Sequence, residues 1–297
     1  MAEGKEARMC HAGWELRIMK YLGNNLKAML GMAVFLIAFN SQQVSATESN
    51  IEGSILREAV TEEFVVVEPM DGVIAEGLDV MYQKSATTTN VKNFGYWVYR
   101  PTISTTEELP LIVYMHGIGE RGSNLNKLTT VSLPKHLYDG DVTVNAIVIC
   151  PQCPAGTNWT NLADDVMELI NIVCEEENVD RTSISLTGHS LGGIGTWSVA
   201  LKYPDVFASL VPVSSTIKTP NACTSIAHIP VWSFHGALDT MRPASMLNAQ
   251  TVINEAGGNM MVTMFEREGH CITDIVYNNP EYDVLGWMAS QHITIAE

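Results

Sequence analysis

The sequence predicts an α/β fold, a mostly parallel central sheet with helices packed on both of its faces. Three observations carry this expectation. Short apolar runs rich in β-branched residues alternate with amphipathic stretches from residue 95 towards the C-terminus. The stretch LTGHSLGGIGTW (186–197) sets one serine among four glycines where a strand-like run gives way to a helix-like one. Residues 47–297 supply 251 residues, enough for one large core.

The elements follow in order. Residues 1–46 read as an upstream extension plus a signal peptide. Lys20 and Lys27 precede the apolar run 28–39 (AMLGMAVFLIAF), polar NSQQ follows, and Val44-Ser45-Ala46 offers small residues for cleavage after Ala46. Spanning a bilayer takes about 20 apolar residues, and Lys27 and Asn40 bracket too few. A secreted or periplasmic protein with no stable membrane anchor after signal cleavage is expected; no cysteine sits at the cleavage point to make a lipoprotein. Residues 1–18 lie outside the pattern, and Met19 is an alternative start. Residues 47–59 form a polar tether and 60–297 the folded domain.

Strands are expected at 64–67, 95–100 (GYWVYR), 111–115 (LIVYM), 146–150 (AIVIC), 182–186, 210–213, 231–234 and 260–265. A helix at 161–177 carries an apolar stripe of Leu162, Val166, Leu169, Ile170 and Val173, with Asp164 and Asp165 near its positive end. A second runs over 192–203 and stops at Pro204. A third, 243–256, begins at a proline and ends at Gly257-Gly258. The last covers 282–291. Residues 124–139 read as a connector that partly covers the site as a lid.

Composition excludes several functions. The chain carries a net charge of −16, and without its leader, which holds five basic and three acidic residues, the remainder carries −18. Nucleic-acid binding depends on neutralising phosphates, so no nucleic-acid partner is expected. A neutral substrate suits such a surface. Five cysteines lie beyond the leader: Cys150, Cys153, Cys174, Cys223 and Cys271. A redox role for Cys150-Pro-Gln-Cys153 would want its first cysteine at a helix N-terminus, yet the motif follows a strand between Pro151 and Pro154. A zinc site would need a second paired set, and the sequence holds none. Structural bridges or buried thiols are the expectation, with no metal and no cofactor.

Ser190 falls on the strand-to-helix turn of a G-x-S-x-G motif. A sharp turn there exposes the hydroxyl beside the positive end of a helix. Gly188 and Gly192 are required because side chains at those positions would collide across it. A serine hydroxyl needs a base, and the base an orienting carboxylate. Asp239 follows the 231–234 strand and His270 the 260–265 strand, each on a loop leaving a later strand. Asp274 is a competing orienter, and His235 reads as a brace. Oxyanion donors are expected at the Leu191 N–H and the Ile118 N–H, the latter in the His116-Gly117-Ile118-Gly119 loop after LIVYM. His116 reads as a brace of that loop. Gln152, Trp159 and His189 are candidate substrate contacts. Trp159 either stacks on a sugar ring or phenolic acid, or packs its own loop. Asn158-Trp159-Thr160 is also a glycosylation sequon.

The strings LIVYMHGIGERGSN, CPQCPAGTNW, GHSLGGIGTW, ALKYPDVFASLVPVS, VWSFHGALDTMRP and YNNPEYDVLGWM resemble secreted α/β-hydrolase esterases. The branch they resemble holds feruloyl esterases, acetylxylan esterases and polyhydroxybutyrate depolymerases, the carbohydrate esterase family 1-like group, some of whose members are labelled peptidases. The resemblance spans residues 60–292. It implies the α/β-hydrolase fold, Ser190, Asp239 and His270 as a catalytic triad, and neutral polysaccharide-linked or polyester substrates without a cofactor. Feruloyl or acetyl esters of plant cell walls are its favoured implication. A polyester depolymerase, a serine peptidase and a non-catalytic binding module on the same fold are the alternatives. Two positions depart from the pattern: CITDIVY follows the histidine where relatives often carry tryptophan, and Leu191 stands where they often carry methionine.

Overall fold

Alternation along single strands explains why the core has two halves. Leu111, Val113 and Met115 point to one face of a strand while Ile112 and Tyr114 point to the other, and all five are buried. A strand buried on both sides reads as a continuous apolar run. The structure, a computed structural model, describes residues 79–102 and 107–293. The leader, the tether and the strand expected at 64–67 lie outside the described residues.

Among the described residues eight strands form one sheet: β1 Val80–Ala86, β2 Phe94–Arg100, β3 Leu109–Met115, β4 Ile147–Pro151, β5 Val179–His189, β6 Ser209–Val213, β7 Val231–Gly236 and β8 Met260–Phe265. Their order is β1-β2-β4-β3-β5-β6-β7-β8. The β1–β2 and β2–β4 pairs are antiparallel, and every later pairing is parallel. Six helices accompany them among the described residues: α1 Ser132–Tyr138, α2 Ala163–Glu176, α3 Leu191–Lys202, α4 Ala244–Glu255, α5 Thr273–Tyr277 and α6 Val284–Ala289. Val166 and Ile170 of α2, Trp197 of α3 and Ile253 of α4 pack on one face. Leu133 and Leu137 of α1, Val276 of α5 and Leu285 and Met288 of α6 pack on the other. Helices therefore cover both faces, as the alternation predicts.

The connector differs from expectation. Residues 124–139 form a 3-10 turn (Leu125–Thr130) and α1, and they bury Leu128, Leu133 and Leu137 in the core. The Trp97 indole N–H donates to Leu125 O at 3.0 Å and the Tyr114 hydroxyl to Ser132 Oγ at 2.7 Å. A segment held this way is part of the domain wall, which corrects the lid reading. Cys150 and Cys153 are buried free thiols, as are Cys223 and the half-buried Cys174. Burial raises all four above the usual thiol range, so the thiolate needed for redox or metal chemistry is disfavoured.

Candidate active site

Strand β5 ends at His189 and α3 begins at Leu191, leaving Ser190 alone on the turn with φ 56° and ψ −114°. A positive φ for a residue with a side chain is strained, and strain of about 1–3 kcal/mol persists only where the surroundings enforce it. Here the Ser190 N–H donates to Val213 O at 2.9 Å and Ser190 O accepts from the Ile194 N–H at 3.0 Å. A Cβ on Gly188 would stand 2.6 Å from the Gly192 carbonyl. A Cβ on Gly192 would stand 1.7 Å from Met115 O, so its glycine is demanded by the end of β3 as much as by the turn.

Two neighbouring loops bring the other members in. Gly236, at the end of β7, lies so close to the loop leaving β8 that a Cβ there would come within 2.1 Å of Gly269 O. Leu238 N–H donates to Glu268 O at 2.9 Å, locking the loops together. This contact sets Asp239 beside His270. The His270 Nδ1–H donates to Asp239 Oδ2 at 2.8 Å, and its Nε2 lies 2.8 Å from Ser190 Oγ. Since a carboxylate only accepts, Nδ1 carries the proton and Nε2 is left to accept the serine's. Burial alone would raise the Asp239 carboxyl. The hydrogen bonds from His270 and the Met241 N–H outweigh it and hold the group below the usual carboxylate range.

The competing residues are used elsewhere. Asp274 faces His136 Nε2 at 3.0 Å instead of His270, so it is not the orienter. His235 is fully buried; its Nε2–H donates to Met241 O at 2.5 Å and lies 3.5 Å from Asp239 Oδ2, which makes it the brace expected.

Two candidate substrate contacts are corrected. Trp159 is fully buried, its indole N–H donates to His116 O at 2.8 Å, and its Cβ sits where a side chain on Gly195 would go. No face is left to stack on a ligand. Gln152 is 3% exposed, and its amide donates to Glu120 O at 2.8 Å and Asn124 O at 2.9 Å. Both instead hold the 116–124 loop, joined by Gly122 N–H to Cys153 O at 2.9 Å and Arg121 to Thr157 O at 2.9 Å. Sequence could place them on this loop but not orient their side chains. His189 is partly buried; it donates its Nε2–H to His270 O at 3.0 Å, with the two rings 4.9 Å apart. It steadies the histidine loop, a role the sequence did not reveal. Burial and the neighbouring His270 push it down to about 4.

Ile118 opens a short 3-10 turn (Ile118–Glu120) and is half exposed, while Leu191 opens α3. First-turn N–H groups have no partner within their helix and sit at its positive end. His116 braces this loop: Nδ1–H donates to Gly117 O at 2.6 Å and Nε2 accepts from the Cys153 N–H at 2.9 Å. Burial pushes it down to about 4 from an ordinary 6.5. The unfolded chain takes up this proton below pH 6.5 and the folded chain refuses it until about 4. Stability is therefore complete above that window and falls with pH across it, by about 3 kcal/mol for this residue. Urea midpoints measured from pH 7 to pH 4 should decline more steeply for the native chain than for His116→Gln, and equal slopes would contradict this account. Among the described residues, no cluster of three or more His, Cys, Asp or Glu is arranged to hold a metal.

Comparison with known proteins adds the family. The Esterase model, described as "Putative esterase", matches residues 87–259. The chain belongs to the esterase family. The esterase superposes on the crystal structure of a thermostable esterase with a TM-score of 0.61 at 23% identity, over 72% of this chain and 63% of that one. It thus spans less than two thirds of that relative. The feruloyl esterase module from Clostridium thermocellum, a serine-to-alanine variant complexed with sinapinate, gives 0.57 at 16% identity, over 74% and 92%. An acylaminoacyl peptidase from Pyrococcus horikoshii gives 0.52 at 15%, over 69% and 40%. No curated protein matches the chain. The esterase has the α/β-hydrolase fold.

Proposed function

We propose that the esterase is an exported enzyme that cleaves carboxylic esters of plant cell-wall polysaccharide, feruloyl or acetyl, through an acyl-enzyme on Ser190. The observation that carries the mechanism is the continuous chain from Asp239 through His270 to Ser190, with both links at 2.8 Å. Ser190 Oγ attacks the ester carbonyl as His270 Nε2 takes its proton. Asp239 keeps Nδ1 protonated and stabilises the imidazolium that forms. The Ile118 and Leu191 N–H groups receive the oxyanion, where fixed donors need no reorganisation as charge develops. His270 then protonates the leaving alcohol, and water, activated by the same ring, releases the acid.

The substrate class rests on the sequence resemblance, on the acidic surface that favours a neutral substrate, and on the feruloyl esterase among the structural neighbours. Purified protein assayed on p-nitrophenyl acetate, methyl ferulate and acetylated xylan tests it. Release from ferulate or xylan supports the cell-wall reading. Turnover of the small acetate alone overturns it and directs the search to polyester chains.

A further inference from the structure

Met241 stands against the nucleophile. Its Sδ lies 4.0 Å from Ser190 Oγ, in position to accept the hydroxyl as a weak hydrogen bond. Its backbone is pinned on both sides: the N–H donates to Asp239 Oδ1 at 2.8 Å and the carbonyl accepts from His235 at 2.5 Å. The main chain at Met241 cannot shift without breaking bonds that hold the orienting carboxylate. Met246 makes a similar contact, accepting from the Ser233 hydroxyl at 2.8 Å, but it is fully buried, as are Met115 and Met288. Met241 is only partly buried. It joins solvent access to contact with the nucleophile.

We propose that Met241 is an oxidation site that shuts the active centre, with a peroxide as the reagent. A sulfur lone pair attacks one peroxide oxygen, the O–O bond breaks, an S–O bond forms, and the second oxygen leaves with both hydrogens as water. Sulfur is oxidised by two electrons and the peroxide is reduced by two; no protein proton is consumed. The new oxygen projects one bond from a sulfur that already faces Oγ. A sulfoxide oxygen is a far stronger acceptor than a thioether, so the Ser190 proton turns to it and away from His270 Nε2. With the backbone pinned, the oxidised side chain remains within reach of Ser190 Oγ.

The inference rests on Ser190 as the nucleophile, so the test reads that separately. The full-length protein is first labelled with a fluorophosphonate and the modified serine mapped. Unlabelled protein is then titrated with hydrogen peroxide. Hydrolysis of p-nitrophenyl acetate and oxygen uptake at each methionine are followed together. Turnover should fall at least about tenfold, the rate equivalent of one hydrogen bond, in step with sulfoxide at Met241. Methionine sulfoxide reductase should restore it. Met241→Leu, a volume-conserving change, should keep its own untreated rate at the same dose, while Met261→Leu, altered at an exposed methionine on β8, should be inactivated like the native chain. Full turnover with Met241 oxidised, or equal loss in Met241→Leu, overturns the proposal while Ser190 labelling stands. Labelling of a different serine overturns the site reading and this inference with it.

Discussion

Ser190→Ala should lower ester hydrolysis by about a million-fold, the scale seen when a triad nucleophile is removed, with the oxyanion donors supplying what remains. The change deletes one oxygen, whose contacts are His270 Nε2 and Met241 Sδ. Alanine keeps the Cβ and so keeps the strained φ of 56°. The denaturation midpoint should therefore stay close to that of the native chain. Ser190→Gly removes the same oxygen and also the strain, and should be the more stable of the two by about 1 kcal/mol. Turnover in either variant within a hundredfold of native would displace Ser190 from the mechanism.

Gly192→Ala should be the most damaging single methyl group in the domain. Its Cβ would meet Met115 O at 1.7 Å, Met115 C at 2.4 Å and His116 O at 2.9 Å. All three are backbone atoms. Met115 is held in register against Gly188 by the β3–β5 pairing, and the next residues carry the Ile118 donor. Relief requires either opening that pairing or moving the oxyanion loop. A loss of more than about 4 kcal/mol is expected, seen as failure to accumulate folded protein or as a collapse of the thermal midpoint. Gly119→Ala in the same loop, where a Cβ meets nothing within 4 Å, is the control and should fold like the native chain. A Gly192→Ala protein of native stability and activity would show that β3 is free to shift.

Much of this was legible in the chain. Central strands such as 111–115 and 146–150 are uniformly apolar because they are buried on both faces, and that signal is local. The elbow was legible because Gly188 and Gly192 bracket Ser190 within five residues, although what forbids a side chain at Gly192 is the end of β3. The order Ser190, Asp239, His270 followed from where strands end. Other elements left no such mark. Edge strand β1 (VMYQKSA) is half exposed, so Gln83 and Lys84 dilute its pattern. Helix α1 contains Pro134, which suits only a first turn whose N–H groups are unpaired anyway. Read along the chain, it resembled a loop.

By itself, then, the sequence determined the alternation of strands and helices, the turn that exposes Ser190, and the succession of candidate acid and base. These depend on residues near one another in the chain. Tertiary structure supplied the reason Asp239, the carboxylate that strand order favoured, faces His270: the approach of Gly236 to Gly269 brings it in while Asp274 faces His136. It also decided that Trp159 and Gln152 support the oxyanion loop from within. A side chain's direction is set by what packs against it, and here those partners lie dozens of residues away along the chain.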